Sequence, residues 1–427
     1  MYLTKVLFSQ QKLNFILLGA TGFTGRYVFR EICRTLTPNK TNIVWGIAGR
    51  NRERLLQILE QFSPQDSSKI EAIVVDINDE KSLLRMCSKT DLIVNCCGPY
   101  RLLGEQVVNA CIDSGCHHID VSGEPHFLET IQQKYNQKAI ERNVSIIGSC
   151  GFDSVPSDMG VQFLKSQFDG TLDSVETYLK VSTTSKRPVT YNFATWHSLV
   201  YGYAFRHQLS ELRRQLYSQL KEYKWKHRVK RRTVSQNSFG YCVPFPGSDR
   251  SVVWRTQYYN YLKYGERPVQ IETYFAVQSL SALFALFLVN FGVSCLSPYP
   301  KGRQLLMKYP NIFSFGVFNR RTQPKEENLL KNSFEIILIG KGWPQKYSDP
   351  EWQPMEAPTK TLVASISGGD LAYLDTSKIV TQITLILIDL IKQKTLKFGV
   401  LTPSIAFCDT SLIERLTQNG IHFKIIK

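Results

Sequence analysis

Six short, mostly apolar runs punctuate the first third of the chain: Phe15 to Gly19, Ile43 to Ala48, Ala72 to Val75, Leu92 to Cys96, His118 to Val121 and Val144 to Gly148. Between them, apolar positions recur at helical spacing. After Gly22, for example, Phe23, Val28, Ile32 and Leu36 mark one buried helical face. Runs this short, without polar alternation, suit strands covered on both faces, as a parallel sheet with crossover helices requires. The pattern predicts an α/β fold with a doubly wound parallel sheet. Beyond a turn at Asp153 to Asp158 the runs lengthen and alternate: Val175 to Val181, Val269 to Phe275, Phe334 to Ile339 and Leu362 to Ile366. These predict a second α/β domain on a largely antiparallel sheet. Helical patterns at Thr376 to Lys392 and Pro403 to Asn419, the latter closed by Gly420, follow at the C-terminus. The expected division is 1–155, then 156–372 with an apolar segment at 276–297, then 373–427 as helices returning to the first domain.

The first strand runs directly into Gly19-Ala20-Thr21-Gly22-Phe23-Thr24-Gly25, and a helix follows. Glycine at 19 permits a tight turn, the missing side chain at 22 lets backbone approach a pyrophosphate, and glycine at 25 lets helix pack closely on strand. The helix start then offers unpaired N–H groups to phosphates. A glycine triplet alone is weak; between a first strand and a first helix it points to a Rossmann-type domain holding a nicotinamide dinucleotide. The second strand ends Ala48-Gly49-Arg50-Asn51-Arg52 and lacks the carboxylate that receives an NAD ribose. Guanidinium groups there suit a 2′-phosphate, so NADP(H) is favoured over NAD(H), with Arg50 as the contact and Arg52 in support. The plainer alternative makes both arginines a solvated helix start. Strands three and four deliver Asp76 and the run Asn95-Cys96-Cys97-Gly98-Pro99-Tyr100 to the same edge. Asp76 is placed at the adenine end, Cys97 and Gly98 at the nicotinamide half, and Tyr100 is either an acid or a packing plug. Asp153 and Asp158 are alternatively helix caps. No catalytic residue is assigned.

Composition narrows the partners. A chain of 427 residues with 43% hydrophobic and 21% charged residues is globular, and its 52 Lys and Arg against 36 Asp and Glu give +16. That excess favours anionic partners: a nucleotide cofactor, an acidic membrane surface or nucleic acid. Ten cysteines include no CxxC pair and no histidine at zinc-ligand spacing, so no metal is expected and the thiols read as small core residues of a reducing compartment. Met1 to Lys12 lacks a signal-peptide h-region, so the protein is not expected to be secreted.

Thr273 to Pro300 carries no charge in 28 positions, and Lys301, Arg303, Lys308, Arg320 and Arg321 follow. Three readings stand: a shallow anchor in a membrane or lipid-droplet surface, a buried core or homodimer helix, or a true span. Lys221 to Arg232 holds seven Lys or Arg in twelve residues. It reads as a solvated loop or a membrane-docking patch; nucleic acid is disfavoured because no recognition motif accompanies it.

The glycine turn, Ala48-Gly49-Arg50, Asn95 with Gly98-Pro99-Tyr100, Ser122-Gly123-Glu124-Pro125, Gly151 to Asp158 and Gly399-Val400-Leu401-Thr402-Pro403 together resemble the saccharopine dehydrogenase-like oxidoreductase family, nearly end to end. The resemblance implies a nucleotide-binding domain, a second α/β domain and a C-terminal segment that returns to the first. Saccharopine itself is not implied, because the substrate residues of true saccharopine dehydrogenases find no counterpart in the second half. Relatives that act in bacterial glycolipid synthesis or reside on animal lipid droplets imply lipid metabolism. The expectation is an NADPH-dependent oxidoreductase on an apolar, lipid-like carbonyl, imine or activated double bond at the cytosolic face of membranes or lipid droplets. The alternative is a catalytically silent nucleotide-binding scaffold at the same surface.

Overall fold

The computed structural model describes residues 12–36, 42–63, 70–185, 188–218 and 223–427. Its first sheet uses β1 (Phe15–Leu18), β2 (Trp45–Gly49), β3 (Glu71–Val74), β4 (Leu92–Asn95), β5 (His117–Asp120) and β6 (Ser145–Ile147), all parallel. A late strand, Gly399–Leu401, joins its outer edge beside β6, so the order is late strand, β6, β5, β4, β1, β2, β3. The short apolar runs are explained by burial on both faces. Phe15 and Leu17 pack into one core cluster, Ile16 and Leu18 into the other. Between the strands lie α1 (Phe23–Leu36), α2 (Arg52–Phe62), α3 (Glu80–Cys87), α4 (Tyr100–Ser114) and α5 (Pro125–Glu141). On α1 the buried face is Gly25, Val28, Phe29, Ile32 and Cys33, while Phe23 and Leu36, expected on it, are half-buried.

After β6, α6 (Val155–Gln167) leads into the second sheet. This sheet contains β7 (Thr171–Thr183) and strands Ser235–Asn237, Gly240–Pro244, Gln270–Val277, Asn332–Trp343, Lys360–Gly368 and His422–Ile425. Its pairs are antiparallel except for Gln270–Val277 against β7. One face packs through Val175, Leu179, Ile336 and Ile366 into the cluster that also covers the first sheet, so the two sheets share a core. The chain's end serves both: Gly399–Leu401 completes the first sheet and His422–Ile425 the second.

Three expectations change. The helix expected over Pro403 to Asn419 is two, Pro403–Phe407 and Leu412–Gln418. At the break the Thr410 N–H and hydroxyl both donate to the Phe407 carbonyl, at 3.0 and 2.7 Å, closing a turn in place of the helical bond to residue 406. In the basic run, Lys221 and Glu222 lie outside the described residues. The remainder is a strap over the second sheet's other face: Tyr223, Trp225, His227 and Val229 turn away from solvent, and Lys224, Lys226, Arg228 and Lys230 are exposed. It is no free loop, because Arg232 pairs with Glu176 at 2.5 Å, and Glu272 takes Arg231 and Arg250 at 3.7 and 3.1 Å.

The third change concerns the apolar segment. It divides into the end of strand Gln270–Val277 and a helix, Leu280–Leu296, capped by Ser279. Only Val293 of that helix is buried, which removes the reading as a core helix. Among the described residues no helix is long and apolar enough to cross a membrane. Seventeen residues rise about 25 Å, short of a hydrocarbon core of about 30 Å.

Candidate functional site

The glycine turn is held by backbone bonds. Gly19 N–H donates to Ala48 O at 2.9 Å, and Gly22 N–H to Gly19 O at 2.9 Å. Gly19 adopts φ +86°, left-handed space that favours glycine. A Cβ on Gly25 would lie 2.1 Å from the Gly19 carbonyl oxygen, so α1 begins directly on the turn with its first N–H groups at the sheet edge. No acidic residue occupies the first turn of α1, which leaves the helix's positive end uncancelled. These features fit a dinucleotide's pyrophosphate: a donor-rich, uncharged cradle whose shape a side chain at 19 or 25 would distort by colliding with Cys97 or with the Gly19 backbone.

β2 ends beside this turn. Thr21 Oγ1 lies 3.7 Å from where a Gly49 Cβ would sit, and Arg50 follows, exposed and without an ion-pair partner among the described residues. Asn51, not an arginine, caps α2, accepting from Arg54 N–H at 3.0 Å; Arg50 precedes that cap and takes no part in it. Cys97 closes the other side: a Gly19 Cβ would meet its Sγ at 2.6 Å. Burial pushes the Cys97 thiol up to about 11, against a downward pull from the Arg50 charge. The turn, Arg50, Cys97 and Gly98 therefore share one edge. Asp76 sits beyond them at the end of β3, its Oδ1 turned into a local loop that accepts Asn78 N–H at 3.0 Å. Arg52, the first residue of α2, is exposed.

Tyr100 resolves toward the packing plug. It is buried, its hydroxyl donates to Asn95 O at 2.8 Å, and burial raises its pKa well above the usual phenol value. Asp153, just before α6, and Asp158, in its first turn, are caps, though not of α6 itself. Asp158 Oδ2 accepts Ser404 N–H at 2.8 Å, starting helix Pro403–Phe407. Asp153 Oδ1 accepts Ser248 N–H at 3.3 Å, the cap of helix Asp249–Tyr264. Burial lifts both carboxyls, to about 6 for Asp153 and about 7 for Asp158, which the local hydrogen bonds only partly offset.

Residue-by-residue reading of the sequence missed the opposite wall. Helix α7 (Phe193–Ala204) of the second domain reaches Glu124, in the segment between β5 and α5, and through it the start of α4. Ser198 Oγ donates to Glu124 Oε1 at 2.8 Å, and the same carboxylate accepts Tyr100 N–H and Arg101 N–H at 3.0 Å each. Next to Ser198, His197 stacks on Tyr201 with ring centroids 4.4 Å apart, and its buried Nδ1 has no hydrogen-bond partner. Burial lowers the His197 pKa, and the Glu124 charge works against that. At the turn itself, Phe23 sets its ring edge-on to Tyr373 at 4.7 Å, and the Tyr373 hydroxyl accepts Asn192 N–H at 2.6 Å just before α7. Glu124 stood in a recognisable motif, but nothing in the local pattern of 191–205 signalled that it faces the first domain.

Comparison with known proteins accords with this geometry. Residues 15–147 match the family model described as the saccharopine dehydrogenase NADP binding domain. A Bos taurus saccharopine dehydrogenase-like oxidoreductase is 36% identical, over 98% of each chain. A Caenorhabditis elegans lipid droplet localized protein is 32% identical, over 97% of this chain and 98% of its own. Among solved structures, apo saccharopine dehydrogenase (L-Glu forming) from Saccharomyces cerevisiae superposes with TM-score 0.56 at 13% identity, covering 97% of this chain and 100% of that one, a likeness of fold. With a nucleotide-binding domain of this build and relatives alike over nearly their whole length, the chain belongs to the saccharopine dehydrogenase-like oxidoreductase family.

Proposed function

We propose that the chain is an NADPH-dependent oxidoreductase that reduces a lipid-like carbonyl, imine or activated double bond while seated on a lipid droplet or the cytosolic face of a membrane. The turn Gly19 to Gly25 holds the pyrophosphate and Arg50 the 2′-phosphate, with Cys97 and Gly98 bounding the nicotinamide half. When bound, the nicotinamide supplies hydride from its C4 atom. The chain must then orient an apolar substrate, exclude water and deliver a proton. His197 is the side chain of the α7 wall suited to pass one, since its ring nitrogen is buried and unengaged.

The observation that carries the lipid assignment is the double role of α7. Its one face meets Glu124; its other, through Trp196 and Val200, packs on Val293 of the exposed apolar helix and on Leu306. The lipid-facing helix and the cleft wall are thus one packed unit. Cations flank it: Arg231 and Arg206 lie near Tyr203, whose hydroxyl donates to Asn290 of the apolar helix. Mass spectrometry of the gently purified full chain tests the reading. NADPH and a copurifying lipid are expected together; recovery of neither overturns it. The silent-scaffold reading is favoured by the locked Tyr100 hydroxyl. It is separated by whether NADPH fluorescence decays when a lipid extract is added.

A further inference from the structure

Arg255 is among the largest fully buried side chains, 1% exposed, on helix Asp249–Tyr264. Its Nε donates to Gln132 Oε1 of α5, while Nη1 has no hydrogen-bond partner. Among the described residues no carboxylate lies within 4 Å of the guanidinium. The nearby acids are engaged elsewhere: Glu129 takes Arg213 at 2.8 Å, Asp158 takes Thr256 and Ser404, and Asp120 takes the N–H groups of Ser122 and Ser149. Burial lowers the Arg255 pKa, which the charges of Glu129, Asp158 and Asp120 oppose only from a distance, and a buried guanidinium without a carboxylate in contact is costly.

A pocket of about 210 Å³ adjoins it, lined by no carboxylate. Arg255 is its buried cation and the exposed Lys263 its outer one; Asn136 and Tyr258 also line it, with Leu262 and Ile405 as apolar wall. That volume corresponds to roughly seven waters in the liquid, or a short-chain carboxylate. The pocket lies at the Gly399–Leu401 edge of the first sheet, through Val400 and Thr402. Four strand spacings separate that edge from β1, roughly 19 Å, so this is not the cradle of the glycine turn.

We infer that this pocket is a second ligand site, for a small organic carboxylate whose head is forked by Arg255 and whose short apolar tail lies against Leu262 and Ile405. Two cations, no acid and an apolar wall define that class; a guanidinium presents paired donors matching a carboxylate's two oxygens. The site does not depend on the cofactor reading.

Hexanoate is the probe, titrated calorimetrically into the full-length protein, with hexanamide as the uncharged isostere. Hexanoate binds saturably at roughly millimolar concentration or below, and hexanamide does not. Arg255→Met removes the buried charge in a similar volume, keeps a cooperative melt by circular dichroism and weakens hexanoate about tenfold or more. Should Arg255→Met fail to fold, Leu262→Trp at the exposed rim narrows the pocket in a folded protein and weakens hexanoate likewise. Lys263→Ala weakens it by a few fold. Inorganic phosphate competes poorly because it leaves the apolar wall unfilled. The inference is overturned by absent saturation, by equal binding of hexanamide, by undiminished hexanoate binding in a folded Arg255→Met or Leu262→Trp protein, or by phosphate binding more tightly than hexanoate.

Discussion

Replacing Phe284 and Phe287 with serine removes two of the most exposed apolar side chains on helix Leu280–Leu296. Leu280, Phe284, Phe287 and Phe291 are 64%, 62%, 62% and 61% exposed, and Leu288 is 38%. Full burial of a Phe side chain contributes about 1.5–3 kcal/mol, so each of these two rings has about 1–2 kcal/mol still to gain from a lipid phase. The pair is therefore worth about 2–4 kcal/mol, roughly a 30- to 800-fold change in partitioning. Folding should hardly notice, because the helix is anchored at Val293 against Trp196, Val200 and Leu306, not through these rings. Flotation with phosphatidylcholine vesicles containing a minority of phosphatidylserine measures the partition; circular dichroism melting and NADPH titration report the fold and the distant turn. The double variant should stay in the soluble fraction with unaltered melting and cofactor binding. Unchanged flotation would refute the lipid-facing assignment. Joint loss of flotation and melting would instead make these rings structural.

Gly25→Val should abolish NADPH binding, since a Cβ there lies 2.1 Å from Gly19 O and must push α1 off the turn; normal affinity by calorimetry would mean the cradle is misplaced. Tyr100→Phe deletes one buried hydrogen bond to Asn95 O and should lower stability by about 0.5–1.5 kcal/mol in urea unfolding with NADPH affinity unchanged; altered affinity would return Tyr100 to the site. Asp158, at about 7 in the folded protein against an ordinary 3.8, holds its proton in the fold between those values while the unfolded chain has released it. Its contribution to stability is therefore lost as pH rises from about 4 through about 7. Asp158→Asn should accordingly gain melting temperature relative to the unmodified protein between pH 5 and pH 8; a difference independent of pH would show that Asp158 is ionised throughout.

The first sheet was legible because each strand's signal is local: burial on both faces demands a short apolar run, and Phe15 to Leu18 has no polar position to blur it, while Leu92 to Asn95 has one only at its end. The glycine turn was legible because steric exclusion at Gly19 and Gly25 is written in the residue type. Charge runs were less so. The cations at 224–230 looked free in sequence, yet the strap is fixed by its intervening Tyr223 and Trp225 and by Arg232 reaching Glu176, 56 residues away. Helix Pro403–Phe407 ends in a turn where Thr410 bonds back to Phe407, a local closure that periodicity does not weigh. The α7 wall and the Arg255 pocket arise from pairings 74 and 123 residues apart, Ser198 with Glu124 and Arg255 with Gln132, and no local pattern announces such contacts.

Calorimetric titration of the full chain with NADPH and NADH, repeated on Arg50→Asp, tests the central claim most directly. Arg50 stands exposed just after β2, without an ion-pair partner among the described residues, beside the turn and within electrostatic reach of Cys97. One charge-assisted phosphate contact is worth about 1.5–3 kcal/mol, so NADPH should bind roughly 10- to 150-fold more tightly than NADH. Arg50→Asp should narrow or reverse that preference while leaving NADH affinity nearly intact. Equal affinities in the unmodified protein, or an unaltered preference in the variant, would contradict the placement of the 2′-phosphate at Arg50.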